Sequence, residues 1–140
     1  MKYDISALGN ALVDTQYMVD HDFLDEIGLE ADSMTLASAE EHSPIIDKLQ
    51  SMGVESVSDC GGSATNSLVA ASYYGSKCHH VCRVANDEDG KKYLESLQKA
   101  GVQHIGYSKE DSEMHTGKCL IFVTPDAKRT MSSMLGISAY

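Results

Sequence analysis

The stretch DCGGSATNSLVAASYYG, residues 59 to 75, decides how the rest of this sequence is read. Two adjacent glycines, Gly61 and Gly62, lead into small polar residues, then Asn66, then small and apolar residues closed by Gly75. Val54 to Cys60 reads as a strand and residues 64–74 as a helix, so the twin glycines fall at a strand-to-helix junction. Glycine lets a ligand or another backbone approach closely. At a helix start, N–H groups without intrahelical partners point outward. Asn66 in the first turn adds a side chain that both donates and accepts. That set suits a neutral, polyhydroxylated ligand, because each hydroxyl gives one hydrogen bond and takes others. A dinucleotide site wants G-x-G-x-x-G and a P-loop wants its lysine. G-G-S-A-T-N offers neither, which sets aside a dinucleotide-binding oxidoreductase. Taken alone, the twin glycines also fit a tight turn with close packing and no ligand.

Outward from this junction the chain alternates. Residues 3–8 read as a first strand broken by Gly9-Asn10, and Gln16 to Val19 as a short second one. Phe23, Leu24 and Ile27 share one helical face, with Gly28 as the stop. Ser33 to Ala37 reads as a strand. The next helix has two candidate starts, Ser38 with Glu41 as a capping box or Ser43 followed by Pro44; either carries the stripe Ile45, Ile46, Leu49 and Met52. Cys78 to Val84 and Val102 to Tyr107 read as strands, separated by an Asn86-Asp87 turn or cap and a helix facing Tyr93, Leu94 and Leu97 inward. KEDSEM reads as a solvated loop. Thr116 to Thr124 and Arg129 to Leu135 read as strands around a Pro125-Asp126 turn, and the final SSMLGISAY as a terminal strand with no helix after it.

Strands alternating with helices imply a parallel α/β sheet, here of three or four strands. The remaining strands break that alternation and imply a small separate sheet covering one end.

Composition bounds the function classes. Of 140 residues, 42% are apolar, enough for a core, and 23% are charged. A net charge of −10 disfavours nucleic acid and anionic membranes as partners. No apolar run approaches membrane-spanning length, and MKYDISALGN is too short and interrupted for a signal peptide. Cys60, Cys78, Cys82 and Cys119 form no C-x-x-C pair, which fits small buried residues in a reduced cytoplasmic protein. His79 and His80 point to opposite faces of a strand and cannot easily share one ion.

A second feature joins the glycines. GNALVD, residues 9–14, follows the first strand, and in open α/β sheets ligands bind beyond the carboxyl ends of strands. Asn10, Asp14 and the Gly61-Gly62 turn all fall there. A carboxylate is a strong acceptor for neighbouring sugar hydroxyls; Asp14 also fits a turn or cap.

GNALVD, DHDFLDEIGL, GGSATNSLVAASYYG, VANDEDG and HTGKC, in this order, resemble the PfkB or ribokinase-like family of carbohydrate kinases, and within it the adenosine kinase-like branch. The resemblance spans essentially the whole chain. It implies an α/β/α sandwich with a small β-sheet lid. Residues 1–140 would form the N-terminal part of one kinase domain, with lid strands at about 14–20, 33–38, 116–124 and 129–135. It implies that Asp14 accepts from sugar hydroxyls with Asn10 supporting it. Gly61, Gly62 and Ser63 would bring backbone amides and the serine to the same sugar, and Asn66 would hold the hydroxyl nearest the reacting centre. Arg129 would be a lid-strand arginine able to approach the transferred phosphate, and Met131 would line the base or the lid wall. Ala85 stands where the family often has glycine, with Asp87 and Gly90 retained, and Leu68 stands where a small residue is usual.

The family's downstream D-T-x-G-A-G-D motif, which makes the anion hole and supplies the catalytic base, has no counterpart here. The sequence thus reads as the N-terminal portion of an ATP-dependent kinase, truncated before the C-terminal half. It holds the substrate-positioning residues, and these 140 residues alone would be inactive. ATP and Mg2+ are implied as cofactors, with sites mostly outside this chain. The implied partner is a small-molecule sugar or nucleoside, adenosine-like first and a simple sugar such as ribose or fructose second. The alternative is a non-catalytic binding module, a homodimer formed by pairing of exposed lid strands.

Overall fold

A computed structural model describes residues 2–107 and 113–140 and divides the chain into two compact units. The first comprises Met1–Val13, Asp59–Gly117 and Leu135–Tyr140, and the second Asp14–Ser58 and Lys118–Met134. Most of KEDSEM, expected as a loop, lies outside the described residues.

The first unit holds a three-stranded parallel sheet. Strand β1 (Ile5–Leu8) pairs with β5 (Cys78–Arg83), and β5 pairs with β6 (Gln103–Tyr107). Helices α3 (Ser63–Tyr73) and α4 (Glu88–Lys99) pack on one face of it. Alternation sends Cys78, His80 and Cys82 of β5 toward those helices, where the two cysteines join Leu68, Tyr93, Leu97 and Val102 in one buried cluster. The apolar medium pushes the Cys82 thiol up to about 11, so it stays protonated and inert. The opposite face carries Leu8, Val81 and Ile105 in register across all three strands, each exposed.

The second unit is built on a five-stranded sheet ordered β3 (Met34–Leu36), β8 (Arg129–Met134), β7 (Gly117–Val123), β2 (Leu12–Met18) and β4 (Ser56–Gly61). β7 and β8 form an antiparallel hairpin with Cys119 opposite Ser133 and Ile121 opposite Met131, while β3 runs parallel to β8. The hairpin closes where Thr124 Oγ1 donates to Asp126 at 2.5 Å. One face of this sheet packs against α1 (His21–Glu26) and α2 (Ala39–Ser51) through Tyr17, Phe23, Leu24, Leu49, Leu120 and Phe122.

Three expectations are corrected. The strand read over residues 54–60 lies beside β2 in the five-stranded sheet, so the parallel sheet has three strands. The terminal strand ends at Met134, and residues Gly136–Ala139 form a 3-10 turn. There the Ile137 N–H donates to the His115 carbonyl at 2.9 Å and the Ile137 side chain is buried, contacts an extended chain could not make. Met52 leaves the apolar stripe of α2 and is exposed, while His42 takes a buried place on it.

The two candidate starts of α2 resolve to Ser38. Its hydroxyl accepts from the Glu41 N–H while the Glu41 carboxylate accepts from the Ser38 N–H at 2.7 Å, and Pro44 lies inside the helix. Removing the hydroxyl in Ser38→Ala should cost about 1 kcal/mol. A denaturant midpoint unchanged by Ser38→Ala would show that the cap contributes nothing.

Candidate functional site

The candidate residues fall into two groups, one in each unit. In the first unit, β1 ends at Leu8 and the chain turns through Gly9 and Asn10. The β4–α3 junction comes directly against that turn. Gly62 has φ 101 and ψ 142, and a Cβ built on it would sit 2.4 Å from the Asn10 carbonyl oxygen. Main-chain contact therefore joins GNALVD to GGSATN, and only glycine permits it. Gly62 is also the N-cap of α3 with no side-chain cap, and its carbonyl accepts from the Asn66 N–H at 2.9 Å. Ser63 and Asn66 are exposed on the first turn of α3, and Gly61 is buried at the end of β4.

Behind this turn lies a buried polar network that sequence reasoning missed. The Thr65 hydroxyl lies 3.1 Å from His80 Nε2 and 2.6 Å from the Tyr93 hydroxyl, and His80 Nδ1 lies 3.3 Å from the Ala7 carbonyl. Burial, more than any neighbouring group, holds the His80 pKa below its usual value. A threonine between alanine and asparagine in a helix-start motif is the one sequence signal for it.

The motifs VANDEDG and HTGKC also meet in this unit. Asp87 caps α4 by accepting from the Gly90 N–H at 2.8 Å, and it accepts from the Thr116 N–H at 2.8 Å and the Thr116 hydroxyl at 2.6 Å. The Ala85 N–H in turn donates to the Thr116 hydroxyl at 3.0 Å. Burial by itself would raise the Asp87 carboxyl, but the Thr116 and Gly90 hydrogen bonds, with His115 nearby, together hold it below its ordinary value. A cavity of about 570 Å³ opens beyond the carboxyl ends of β1 and β5 and is lined by Asn10 and Arg83, among others.

In the second unit, Asp14, Arg129 and Met131 share one face of the five-stranded sheet. Tyr17 packs with Phe122 on the helix-covered side, so alternation turns Asp14 to the other side. Arg129 and Met131 pair with Val123 and Ile121, and the residues of β7 that alternate with these, Leu120 and Phe122, face the helices. The charges of Asp14 and Arg129 both act on the Cys119 thiol. Burial above all raises that thiol, with Asp14 adding to the rise, and the Ser133 hydrogen bond and Arg129 opposing it. Among the described residues no group of three or more His, Cys, Asp or Glu side chains could hold a metal ion.

A family description, pfkB family carbohydrate kinase, matches residues 33–140. The chain belongs to the pfkB family. Adenosine kinase 1 of Arabidopsis thaliana is 27% identical over 137 residues, covering 95% of this chain and 38% of that protein. The crystal structure of adenosine kinase from Sinorhizobium meliloti superposes with a TM-score of 0.84 at 27% identity, covering 99% of this chain and 41% of that one. Anopheles gambiae adenosine kinase, solved in complex with P1,P4-di(adenosine-5) tetraphosphate, gives 0.81 at 25% identity over 95% of this chain and 39% of that one. The pfkB-family chain thus spans about two fifths of the relatives it matches, and its α/β fold is that of ribokinase-like adenosine kinases. No helix among its described residues is long and apolar enough to cross a membrane.

Proposed function

We propose that this chain is the substrate-positioning portion of an ATP-dependent nucleoside kinase, in which adenosine receives a phosphoryl group on its sugar hydroxymethyl. The observation that carries the reading is the contact of Gly62 with the Asn10 carbonyl, which fixes the twin-glycine turn against the exit of β1. Asn10, Ser63, Asn66 and the Gly61-Gly62 backbone then offer the mixed donors and acceptors that sugar hydroxyls need. Asp14 serves as the charged acceptor, the second unit as a lid, and Met131 and Arg129 act from that lid on the base and the transferred phosphate. Excluding water favours transfer to the sugar over hydrolysis of the donor. When bound, ATP with Mg2+ supplies the phosphoryl group and neutralises its charge. No residue of this chain is proposed as the base, and the 140 residues alone are inactive in this reading. The four cysteines, none of them in a disulfide, fit a reducing cytoplasm.

Calorimetry with adenosine, then ribose and fructose, tests this. Adenosine should bind, and Asp14→Asn should weaken it about tenfold, the weight of one hydrogen bond to a charged group. No heat with any nucleoside or sugar would overturn the reading, and a preference for ribose or fructose would replace adenosine by a simple sugar. The reading of this chain as an association module has one observation in its favour. β3 is an edge strand whose Met34 and Leu36 are exposed, a template for pairing with a second copy. Sedimentation as a strict monomer would remove it.

A further inference from the structure

We propose that His80 is a positioning residue for the sugar-binding turn: its neutral ring ties the exit of β1 to the first turn of α3, and protonation loosens Gly62 to Asn66. The inference deepens the kinase reading and rests on it for its consequence in binding.

Hydrogen-bond direction fixes the tautomer of the ring. The Ala7 carbonyl can only accept, so the His80 Nδ1 that faces it at 3.3 Å carries the proton. In the neutral ring Nε2 is then an acceptor, and the Thr65 hydroxyl donates to it at 3.1 Å. Having spent its proton there, the Thr65 oxygen accepts from the Tyr93 hydroxyl at 2.6 Å. Along the chain from Tyr93 through Thr65 and His80 to Ala7 each donor meets one acceptor, all in the same sense. Thr65 and His80 are fully buried and Tyr93 nearly so, so water cannot substitute for any of them.

The ring also touches the site's geometry directly. A Cβ added at Gly9 would lie 3.9 Å from the His80 ring, and one added at Gly62 would lie 3.5 Å from the Thr65 hydroxyl. The imidazole therefore sits behind the Gly9-Asn10 half of the contact and reaches the Gly62 half through Thr65. A proton placed on Nε2 sets two donors facing each other, and the Thr65 hydroxyl must turn away or the first turn of α3 must shift.

Among the described residues no neighbour compensates that charge. His104, the register partner on β6, and His79 on β5 both oppose it. β1 contributes Ile5 to Leu8 and α3 contributes Ser63 to Tyr73, neither with an acidic residue. α4 buries Gly90, Tyr93 and Leu97, of which only the phenol is polar. Cys78 and Cys82 beside the ring are thiols held protonated by burial.

Nuclear magnetic resonance on the protein tests this without a ligand. His80 should show the Nδ1-protonated tautomer at neutral pH, and the amides of Gly62, Ser63 and Asn66 should move with the same midpoint as its ring on acidification. Thr65→Val should displace those amides at neutral pH, and Thr65→Ser, which keeps the hydroxyl, should restore them. Amides that stay still in Thr65→Val, or an Nε2-protonated ring, would overturn the proposal, even if His80 resists titration until the fold is lost. Adenosine calorimetry on the same samples separates the two readings. Thr65→Val should weaken binding about tenfold and Thr65→Ser should recover it to within about threefold. Binding indifferent to Thr65→Val sinks the role of His80, whereas wild-type protein that binds no adenosine sinks the kinase reading and leaves the amide shifts to decide on His80.

Discussion

Gly62→Ala is expected to be among the most damaging single-methyl substitutions in this chain, costing about 4 kcal/mol of stability. Two effects add. The backbone at φ 101 and ψ 142 is one that an L side chain rarely adopts, and the new methyl would lie 2.4 Å from the Asn10 carbonyl oxygen, which is main chain and cannot swing aside. A domain of this size holds only about 5–15 kcal/mol in total, so the loss is a large fraction of it. Gly75→Ala separates the two terms. Gly75 has φ 91, and a Cβ there meets nothing within 4 Å. It should lose only the conformational part, about 1 kcal/mol. Urea midpoints at constant m value give the comparison, and equal losses for the two variants would show that the contact with Asn10 is slack. Adenosine binding in the folded fraction of Gly62→Ala should fall below detection, because the methyl can be accommodated only by moving the β1 exit away from α3.

That contact also shows where the sequence was legible. Twin glycines at a strand-to-helix junction mark close backbone approach, and the position of GNALVD after the first strand puts Asn10 nearby. What approaches Gly62 was not legible, because a main-chain carbonyl leaves no trace in residue type. The start of α2 was readable only as a choice. Ser38 and Glu41 favour one start and Pro44 another, and the buried His42, which lies before Pro44, extends the inward face back to the capping box. The membership of β4 could not be read, since a strand followed by a helix has the same pattern whichever sheet takes it; its exposed residues Ser56 to Asp59 are the mark of an edge. SSMLGISAY alternates like a strand, yet Gly136 punctuates it, and the chain bends there so that Ile137 can be buried. The Thr65, His80 and Tyr93 network was out of reach for a different reason. Its members are far apart in sequence, and each has an ordinary role alone: a helix residue, half of a histidine pair, and a core aromatic.

Asp87→Asn should cost about 3 kcal/mol at neutral pH, and the cost should shrink in acid. The carboxylate accepts from three donors, the Gly90 N–H, the Thr116 N–H and the Thr116 hydroxyl. An asparagine keeps one oxygen and presents an NH2 group to donors on the other side, so at least one partly buried N–H loses its partner and faces another donor. Two motifs are affected at once, because the same side chain caps α4 and fixes Thr116 just ahead of β7. The pH dependence follows from the direction of the shift. The folded-state pKa lies below the ordinary 3.8, so this carboxylate contributes its full stability above 3.8 and loses it as pH falls through the folded value. The buried histidines His42 and His80, with depressed pKa values, begin to withdraw their contribution at a higher pH, as the medium falls below the ordinary 6.5. That part is common to wild type and variant and cancels in the difference. Denaturant unfolding at pH 7 and near pH 3 should therefore show the gap between wild type and Asp87→Asn narrowing in acid. A gap of the same size at both pH values would mean that Asp87 acts as a neutral hydrogen-bonding group and that charge has no part in holding the two motifs together.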